Sequence, residues 1–362
     1  MDKKTIESRE SVLDTFAGRR ILVTGHMGFK GTWLTQILVR AGAEVCGIGN
    51  DSANNAQHFR SLKLAERIEH NEIDLRDYSE VERIVCCFKP EFVFHLAAQS
   101  LVRRSYEHPH RTFASNTYGS LNLLEAIHSL NANLTLIFVT SDKCYENTDH
   151  GTPFVESDRL GGSDPYSASK ACAEMIYHSY ATSFFPQAGV KSGSARAGNV
   201  IGGGDWSEDR LVPDIVRSLA ERNKVILRHP NSTRPWQYVL DPLYGYLTLA
   251  KLLSESRVDS GMSWNFGPPT EEARSVRDVA IRAIRHWGSG EIVLESSNDD
   301  PKEASLLQLD STRANQILNW RTRLNFDEAI EHTMTWYRRL SKGDAVDEVT
   351  DDAISKFIPA TC

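Results

Sequence analysis

The stretch RILVTGHMGFKG, residues 20–31, constrains the fold of this chain more than any other segment. A short apolar run leads directly into three glycines spaced three residues apart: Gly25, Gly28 and Gly31. Behind them, apolar side chains recur every fourth position at Phe29, Trp33, Ile37 and Ala41. This spacing predicts a helix with one apolar face, which Gly42 is expected to end. A strand that turns into such a helix is typical of the repeating unit of a parallel sheet.

The same alternation continues to about residue 200. Apolar, β-branched runs such as AEVCGIG, EFVFHLAA and TLIFVTS are separated by helical patterns, which predicts an α/β fold with a Rossmann-type, doubly wound parallel sheet. Beyond that point the pattern is mixed and predicts a smaller, interleaved C-terminal lobe for the substrate. The expected division is a Rossmann-type domain at 18–191 with returning elements at about 233–266, the lobe at 192–232 and 267–340, and extensions at 1–17 and 341–362. The last extension is acidic and weakly periodic, so it is expected to be loosely ordered.

The glycine turn predicts a binding site for a dinucleotide. Glycines between a strand and a helix let a pyrophosphate approach the helix N-terminus, whose free N–H groups and dipole favour anions. The spacing is GxxGxxG. Glycine-rich turns also occur between helices and strands without any ligand, but the flanking strand and helix favour a nucleotide site. Asp51, about 20 residues beyond the last glycine, is suited to the adenosine ribose, unless it is only a surface-loop residue. No Lys or Arg lies between Cys46 and Gln57, which favours NAD over NADP. Asp74 either borders the adenine or caps the next helix.

Composition narrows the classes of protein further. The net charge of -7 and the lack of a basic block argue against a surface that binds nucleic acid. The opening MDKKTIESRE lacks the apolar run of a signal peptide, and no apolar stretch approaches the ~20 residues that span a bilayer, so a cytoplasmic location is expected. The 6 cysteines form no CxxC pair and the 12 histidines form no HExxH, which predicts reduced thiols and no metal site.

The pentapeptide YSASK supplies candidate catalytic residues. Tyr166 and Lys170 are four residues apart, so on a helix they share one face. For the phenol to act as a base, its pKa must fall from ~10 to near neutrality, which costs roughly 4 kcal/mol. A nearby ammonium and a positively charged nicotinamide can supply that stabilisation. A YxxxK pair also occurs by chance in many helices, but here it follows the glycine turn and a TSD strand end.

Seven motifs together carry a family resemblance: TGHMGFKG, HLAAQ, TSDKCYEN, YSASK, RAGNVIGGGDW, RPWQYV and WNFGP. From about Gly18 to Tyr337 the chain resembles an extended short-chain dehydrogenase/reductase and, more narrowly, the CDP-glucose 4,6-dehydratases. The resemblance implies a Rossmann NAD domain, a C-terminal sugar-nucleotide lobe and a tightly held NAD that is regenerated in each cycle. It also implies CDP-glucose or a related sugar nucleotide as substrate, oxidised at C4, dehydrated across C5 and C6, and reduced again at C6.

The resemblance further implies catalytic roles. Ser141, Tyr166 and Lys170 would form the dehydrogenase triad, in which Ser141 binds the C4 hydroxyl and Tyr166 takes its proton. Asp142 and Lys143 occupy the family positions for elimination, where dTDP-glucose enzymes carry Asp-Glu. We expect Asp142 to act as the acid, and Lys143 either as a neutral base or as a cation that stabilises the C4 enolate. The alternative is a capping aspartate and a solvated lysine. Both side chains can reach one sugar only if the backbone turns at the strand end.

The other site residues also follow from position within the resemblance. The cofactor set comprises Gly25, Gly28, Phe29, Gly31, Asp51, Asp74, Leu75, Ala97, Ala98, Tyr166 and Lys170. The substrate set comprises Gln99, Asn199, Arg210 and Arg234. The arginines suit nucleotide phosphates, although either could instead form a surface ion pair. His95 lies beside the expected cofactor or is a satisfied core histidine. Lys302 and Ser305 stand where relatives often carry histidines, which leaves the base or sugar preference open.

Two other functions compete with dehydration. A sugar-nucleotide 4-epimerase shares the fold, the NAD and the triad, but it has no use for an acid and a base aimed at C5 and C6. A catalytically silent binding or assembly protein would be expected to carry broken catalytic positions, and none is broken here. By analogy with relatives, the helices FASNTYGSLNLLEAIHSL and YSASKACAEMIYHSY are expected to pack across a two-fold axis, in a homodimer or a dimer of dimers.

Overall fold

A computed structural model describes residues 12–50, 56–148, 151–295 and 307–358. Its strands are β1 (Arg20–Thr24), β2 (Glu44–Gly49), β3 (Glu69–Glu72), β4 (Phe92–His95), β5 (Leu134–Val139), β6 (Val190–Ala197), β7 (Val200–Ile201), β8 (Val225–Leu227), β9 (Thr233–Pro235), β10 (Gln237–Tyr238), β11 (Met262–Phe266), β12 (Ala273–Ser275) and β13 (Ile292–Leu294). One parallel sheet joins 7 of them in the order β3-β2-β1-β4-β5-β6-β11. The chain order reverses at β1, so a ligand crevice is expected at the carboxyl ends of β1 and β4.

The helices are α1 (Phe29–Arg40), α2 (Gln57–Ser61), α3 (Tyr78–Phe88), α4 (Val102–Glu107), α5 (Pro109–Phe113), α6 (Gly119–Leu130), α7 (Pro165–Ser183), α8 (Phe185–Ala188), α9 (Leu211–Ala220), α10 (Leu240–Ser254), α11 (Val276–Trp287), α12 (Thr312–Leu318), α13 (Phe326–Ser341) and α14 (Val346–Phe357). Short 3₁₀ turns cover Val12–Phe16, Leu64–Glu66, Asp142–Cys144 and Thr270–Glu272, and a π turn covers Ala114–Tyr118. Within the described ranges, none of these helices combines the length and the apolar character needed to cross a membrane.

Helices cover both faces of the sheet because side chains alternate along each strand. On β1, Ile21 and Val23 belong to the apolar cluster that includes α1 and α10, whereas Leu22 belongs to the cluster that includes α3 and α6. All three side chains are fully buried. The helix predicted after the glycine turn is α1, and Gly42 follows its end with a φ of +76°. The prediction of a doubly wound parallel sheet is therefore confirmed.

The predicted boundary between the two lobes at residue 191 falls inside a strand. β6 runs without interruption to Ala197 and pairs with β5 and β11 along its length, so residues 192–197 belong to the large sheet. Of the predicted returning elements, α10 packs on β5 and β6, and β11 is the last strand of the sheet. β9 instead pairs with β12 in a separate two-stranded sheet. The boundary was misplaced because β6 contains Lys191, Ser192 and Ser194, whose polarity resembles that of a loop.

The expectation that residues 341–362 are loosely ordered is wrong for their described part. Residues Val346–Phe357 form α14, which packs against α13. Val349, Ile354 and Phe357 are buried on its inner face, and the Phe357 ring lies 5.9 Å from that of Tyr238. The acidic residues occupy the outer face, so the overall composition of the segment hid an amphipathic helix.

Candidate active site

The glycine turn between β1 and α1 is built for close approach of a ligand. Gly25 has a φ of +72°, and a Cβ there would lie 2.7 Å from the backbone of Ala97. A Cβ on Gly31 would lie 2.0 Å from the carbonyl oxygen of Gly25. The N-cap residue of α1, Gly28, provides no side-chain cap, so the first N–H groups of the helix are available to an anion. Phe29 is buried beneath the turn. The residues present therefore fit a dinucleotide pyrophosphate.

The side of the crevice predicted for the adenosine holds one of the two expected acids. Asp74 follows β3, accepts a hydrogen bond of 3.2 Å from the Asn50 amide and is held by Arg76 at 2.6 Å. The hydrogen bonds and charge of Arg76 lower the pKa of Asp74. Asp77, not Asp74, caps α3 by accepting from the Glu80 N–H, so the alternative capping role of Asp74 is excluded. Leu75 is buried nearby. Asp51 lies outside the described residues.

His95 is a satisfied core histidine. Its Nδ1 lies 2.7 Å from the Thr24 hydroxyl and its Nε2 lies 2.9 Å from the Ser120 hydroxyl. Burial lowers the pKa of His95 to about 3, so the ring is neutral. Ala97 and Ala98 follow it at the end of β4, where Ala97 donates its N–H to the Thr24 hydroxyl. The two alanines therefore line the crevice beside the glycine turn, whereas His95 supports that edge from within the core.

The chain turns directly after β5, as a joint role of Asp142 and Lys143 requires. The 3₁₀ turn Asp142–Cys144 is capped by Ser141, whose hydroxyl accepts from the Lys143 N–H at 3.2 Å and donates to the Asp142 carboxylate at 2.8 Å. A Cβ on Gly198 would lie 3.1 Å from Oδ2 of Asp142, so this carboxylate packs against the loop after β6. Burial raises the pKa of Asp142, against the opposing effects of Lys143, the Ser141 hydrogen bond and Lys30. A carboxyl whose pKa is raised by burial is better suited to donate a proton than an ordinary aspartate.

The expected base lies across from this turn, on the first two turns of α7. Asp164 caps that helix through the Ser167 N–H, and Tyr166 and Lys170 are both nine-tenths or more buried. Burial raises the pKa of Tyr166 to about 12, although a hydrogen bond with Ser141 and the charge of Arg210 oppose the rise. Burial lowers the pKa of Lys170 to about 8. The structure thus brings together Ser141, Asp142, Lys143, Tyr166 and Lys170.

A buried ion pair beneath these residues was not predicted. Arg196, on β6, donates to the Glu174 carboxylate of α7 at 2.7 Å and to the Tyr145 hydroxyl at 2.8 Å. Glu174 also accepts from the hydroxyl of Thr140, which precedes Ser141. Arg196 and Glu174 are 1% and 0% exposed. The pair ties β5, β6 and α7 together beneath the site. No clear signal in the sequence indicates this pair, because the lysine and serines that precede Arg196 make the strand resemble a loop.

Removing one member of this pair is expected to destabilise the protein. Arg196→Met leaves the Glu174 carboxylate buried without a cation, which costs about 3–5 kcal/mol of the free energy of unfolding. Urea unfolding followed by circular dichroism measures the loss. Arg159→Met is the matched control, since Arg159 is 84% exposed in its pair with Glu146 and such pairs contribute less than about 1 kcal/mol. Equal losses of unfolding free energy in the two variants would contradict a structural role for the buried Arg196–Glu174 pair.

A second unpredicted residue is Lys30, inside the glycine turn itself. Its Nζ donates to the Tyr246 hydroxyl at 3.4 Å. Burial lowers the pKa of Lys30 to about 7, with further lowering by Arg210 and Lys170 and opposition from Asp142. The lysine therefore lies within electrostatic reach of the residues after β5. The predicted cofactor residues of this motif are Gly25, Gly28, Phe29 and Gly31, and Lys30 is not among them.

The four predicted substrate residues lie in different surroundings. The Gln99 amide holds its own loop through Leu101 and Thr112. Both of its N–H groups are used, so a further contact would be accepted by its oxygen. Asn199 lies between β6 and β7 and accepts the Gln237 N–H. Arg210 pairs with Asp205 at 3.1 Å and lies near Tyr166. Arg234 lies on β9, opposite Arg274 of β12.

Two further predictions concern the pair Lys302 and Ser305 and the absence of a metal site. Lys302 and Ser305, which bear on the base or sugar preference, lie outside the described residues. Across the parts of the chain that the structure describes, no three His, Cys, Asp or Glu side chains are arranged to hold a metal ion.

Comparisons with known proteins agree with this arrangement. A family model described as GDP-mannose 4,6 dehydratase matches residues 22–333. The CDP-glucose 4,6-dehydratase of Salmonella typhimurium is 40% identical over 349 residues, which are 95% of this chain and 97% of that protein. The UDP-glucose 4-epimerase of Thermus thermophilus, solved in complex with NAD, is 26% identical with a TM-score of 0.76, over 88% of this chain and 99% of that one.

A second solved structure shows the fold at lower identity. The dTDP-glucose 4,6-dehydratase of Streptomyces venezuelae, with NAD and TYD bound, is 21% identical with a TM-score of 0.75, over 88% of this chain and 97% of that one. A family match across most of the chain and a relative at 40% identity lead to one conclusion. The chain belongs to the GDP-mannose 4,6 dehydratase family of nucleotide-sugar-modifying short-chain dehydrogenases/reductases.

Proposed function

We propose that this chain is a hydro-lyase that converts CDP-D-glucose to CDP-4-keto-6-deoxy-D-glucose with NAD as a bound cofactor. The observation that carries the proposal is the meeting of two sets of side chains at one edge of the sheet. The triad residues Ser141, Tyr166 and Lys170 serve oxidation, and Asp142 and Lys143 serve elimination. The choice of CDP-glucose is supported by the 40% identity to the Salmonella typhimurium enzyme along nearly the whole of both chains.

The cofactor site is supplied by the glycine turn and the edges beside it. Gly25, Gly28 and Gly31 would hold the pyrophosphate at the N-terminus of α1, and Asp74 would face the adenosine. Bound NAD supplies a hydride acceptor for C4 and later a hydride donor for C6. The Ser141 hydroxyl, which lowers the pKa of the Tyr166 phenol, would orient the C4 hydroxyl of the sugar.

Two proton transfers by protein side chains follow from the geometry. The Tyr166 phenolate takes the proton of the C4 hydroxyl, with Lys170 one helical turn away to stabilise the phenolate. Once C4 is a ketone, the C5 proton is acidic. Asp142 then donates its proton to the C6 oxygen as the C6–O bond breaks. Lys143 either starts neutral and accepts the C5 proton, or acts as a cation that stabilises the enolate while the C5 proton passes to water. Water leaves across C5 and C6.

Incubating the purified protein with CDP-, dTDP-, UDP- and GDP-hexoses tests the proposal. Loss of the mass of one water from CDP-glucose alone is the expected result. An unchanged mass with an inverted C4 would show that the protein is a 4-epimerase. Water loss from a different nucleotide sugar would show that the substrate is that sugar and not CDP-glucose. Mass spectrometry separates these outcomes, and a boiled sample is the control for spontaneous breakdown.

Assembly and location extend the proposal. We infer a homodimer, or a dimer of two such dimers, through the helices near α6 and α7, because Tyr118 and Met175 on this side are each 62% exposed. Apolar side chains with that exposure favour burial against a second copy. Sedimentation equilibrium would measure the assembly. A cytoplasmic location is supported by the free thiols of the five cysteines in the described ranges, as expected in a reducing compartment.

A further inference from the structure

Tyr145 follows the 3₁₀ turn Asp142–Cys144, which we call the elimination turn. Its backbone N–H donates to the Asp142 carbonyl at 3.4 Å, and its side chain is only 1% exposed. The Tyr145 hydroxyl accepts an N–H of Arg196 at 2.8 Å and donates to Oδ1 of Asn265 at 2.7 Å. A guanidinium can only donate and an amide oxygen can only accept. The two partners therefore hold the phenol in one orientation at the end of the elimination turn.

Asn265, on β11, joins several segments of the chain through one side chain. Its amide nitrogen donates to the Phe154 carbonyl at 2.9 Å and to the Asp310 carbonyl at 3.1 Å. Its backbone N–H donates to the Glu156 carboxylate at 3.0 Å. Because both amide hydrogens are directed at carbonyl oxygens, the amide oxygen must face the Tyr145 phenol. Asn265 is 0% exposed, so its hydrogen bonds are shielded from water.

The connection continues into the predicted substrate lobe, at residues 307–310. The Phe154 N–H donates to the Gln308 carbonyl at 2.9 Å, and the Asp310 N–H donates to the Phe154 carbonyl at 2.8 Å. The Phe154 ring stacks on Tyr145, with ring centres 4.9 Å apart and planes 9° from parallel. Residues 307–310 are therefore joined to the elimination turn by hydrogen bonds and by a ring contact.

Ser141 is held in place independently of this connection. The residue before it, Thr140, donates its N–H to the Ala195 carbonyl of β6 at 2.9 Å, so the large sheet places Ser141. The elimination turn lies beyond the sheet. It is also held by the loop before α7, which donates an N–H to the Cys144 carbonyl at 2.9 Å. A change at Tyr145 should therefore disturb the groups for elimination more than the group for oxidation.

We propose that Tyr145 and Asn265 are positioning residues for elimination, whose hydrogen bond ties the elimination turn to residues 307–310 of the substrate lobe. The inference rests on the proposed function. Proton transfer from Asp142 to the C6 oxygen requires hydrogen-bonding distance between the two groups, and a misplacement of about 1 Å can lower a rate about a hundredfold. The hydrogen bond thus couples the position of the acid to the lobe proposed to bind the sugar nucleotide.

Tyr145→Phe removes the hydroxyl and keeps the ring that stacks on Phe154. In a single turnover with CDP-glucose, elimination is expected to slow about tenfold, while C4 oxidation and KM stay unchanged, so the absorbance of the reduced cofactor should accumulate. Tyr177→Phe is the matched control, because Tyr177 is fully buried and its hydroxyl bonds that of Ser192 at 3.1 Å. Equal slowing of oxidation and elimination in Tyr145→Phe would overturn the proposal, by making the phenol a general structural group.

A double substitution tests whether the two residues act through their shared hydrogen bond. Asn265→Ser removes the acceptor of the Tyr145 phenol and is expected to slow elimination at least as much as Tyr145→Phe. In Asn265→Ser combined with Tyr145→Phe, elimination should be no slower than in Asn265→Ser alone, because the same bond is already lost. Multiplied effects of the two substitutions would overturn the shared role.

Hydrogen–deuterium exchange followed by mass spectrometry tests the connection without substrate and with folded Tyr145→Phe alone. Loss of one buried hydrogen bond should speed exchange about fivefold, both in the elimination turn and in residues 307–310. Tyr177→Phe should leave both segments unchanged. Faster exchange in the turn alone would overturn the connection to the lobe, and unchanged exchange in both would overturn the role of Tyr145. If the wild type releases no water from CDP-glucose, the proposed function fails, and exchange still decides the connection.

Discussion

Lys143→Met is expected to stop the reaction after oxidation of C4, with the 4-keto sugar and reduced cofactor held on the protein. Methionine keeps an unbranched side chain that is one atom shorter than lysine, and it can neither accept a proton nor carry a charge. Both open roles of Lys143 are therefore removed together, while Ser141, Tyr166 and Lys170 remain. Loss of a positioned acid or base lowers a rate about 10²–10⁴-fold. The near-ultraviolet absorbance of the reduced nicotinamide and the mass of the bound sugar measure the arrested state.

Lys143→Arg separates the two roles. Arginine keeps a positive charge and stays protonated in proteins, so it can stabilise the C4 enolate but cannot accept the C5 proton. Partial recovery of water loss in Lys143→Arg would assign the cationic role, whereas arrest equal to that of Lys143→Met would assign the base. Water loss from Lys143→Met at the wild-type rate would contradict any part for this lysine, and the solvated-lysine interpretation would replace it.

The elements that the sequence predicted well are those with strong local signals. The apolar repeat and Gly42 predict α1 and its end within a few residues. Unbroken apolar runs predict the buried strands. A joint role of Asp142 and Lys143 requires a backbone turn after β5. The cause of this turn is local, because Ser141 caps it by accepting the Lys143 N–H. Such features depend on neighbours in the chain and are accessible to sequence reasoning.

Features that depend on distant partners were missed or misplaced. The acidic composition of residues 341–362 predicts a loose tail and hides the apolar face of α14. That face is explained by the residues it covers, such as Tyr238. The charge of Arg196 is tolerated in β6 only because Glu174 arrives from α7. The pKa of Lys30 is lowered by burial beside Tyr246, which is distant along the chain. In each case tertiary packing supplied information that local spacing does not contain.

Tyr166→Phe is expected to abolish C4 oxidation, with a loss of about a thousandfold in the single-turnover rate. The structure explains why this hydroxyl is hard to replace. Burial raises the pKa of Tyr166 to about 12, so ionisation near neutral pH depends on the positive charges of the Lys170 ammonium and of bound NAD. Burial lowers the pKa of Lys170 only to about 8, so Lys170 is still largely cationic at pH 7. Phenylalanine keeps the buried ring, and the fold should be retained.

Tyr177→Phe provides the same substitution on the same helix, away from the site. Tyr177 is fully buried, its ring stacks on Phe138 at 5.1 Å, and its hydroxyl bonds that of Ser192 at 3.1 Å. Removing this hydroxyl should cost about 1 kcal/mol of stability and leave C4 oxidation intact. Equal losses of oxidation in both variants would show that the helix, not the phenol of Tyr166, is at fault. A normal oxidation rate in Tyr166→Phe would exclude it as the base, and the proton of the C4 hydroxyl would then have to leave by way of Ser141 and Asp142, which the Ser141 hydroxyl contacts at 2.8 Å.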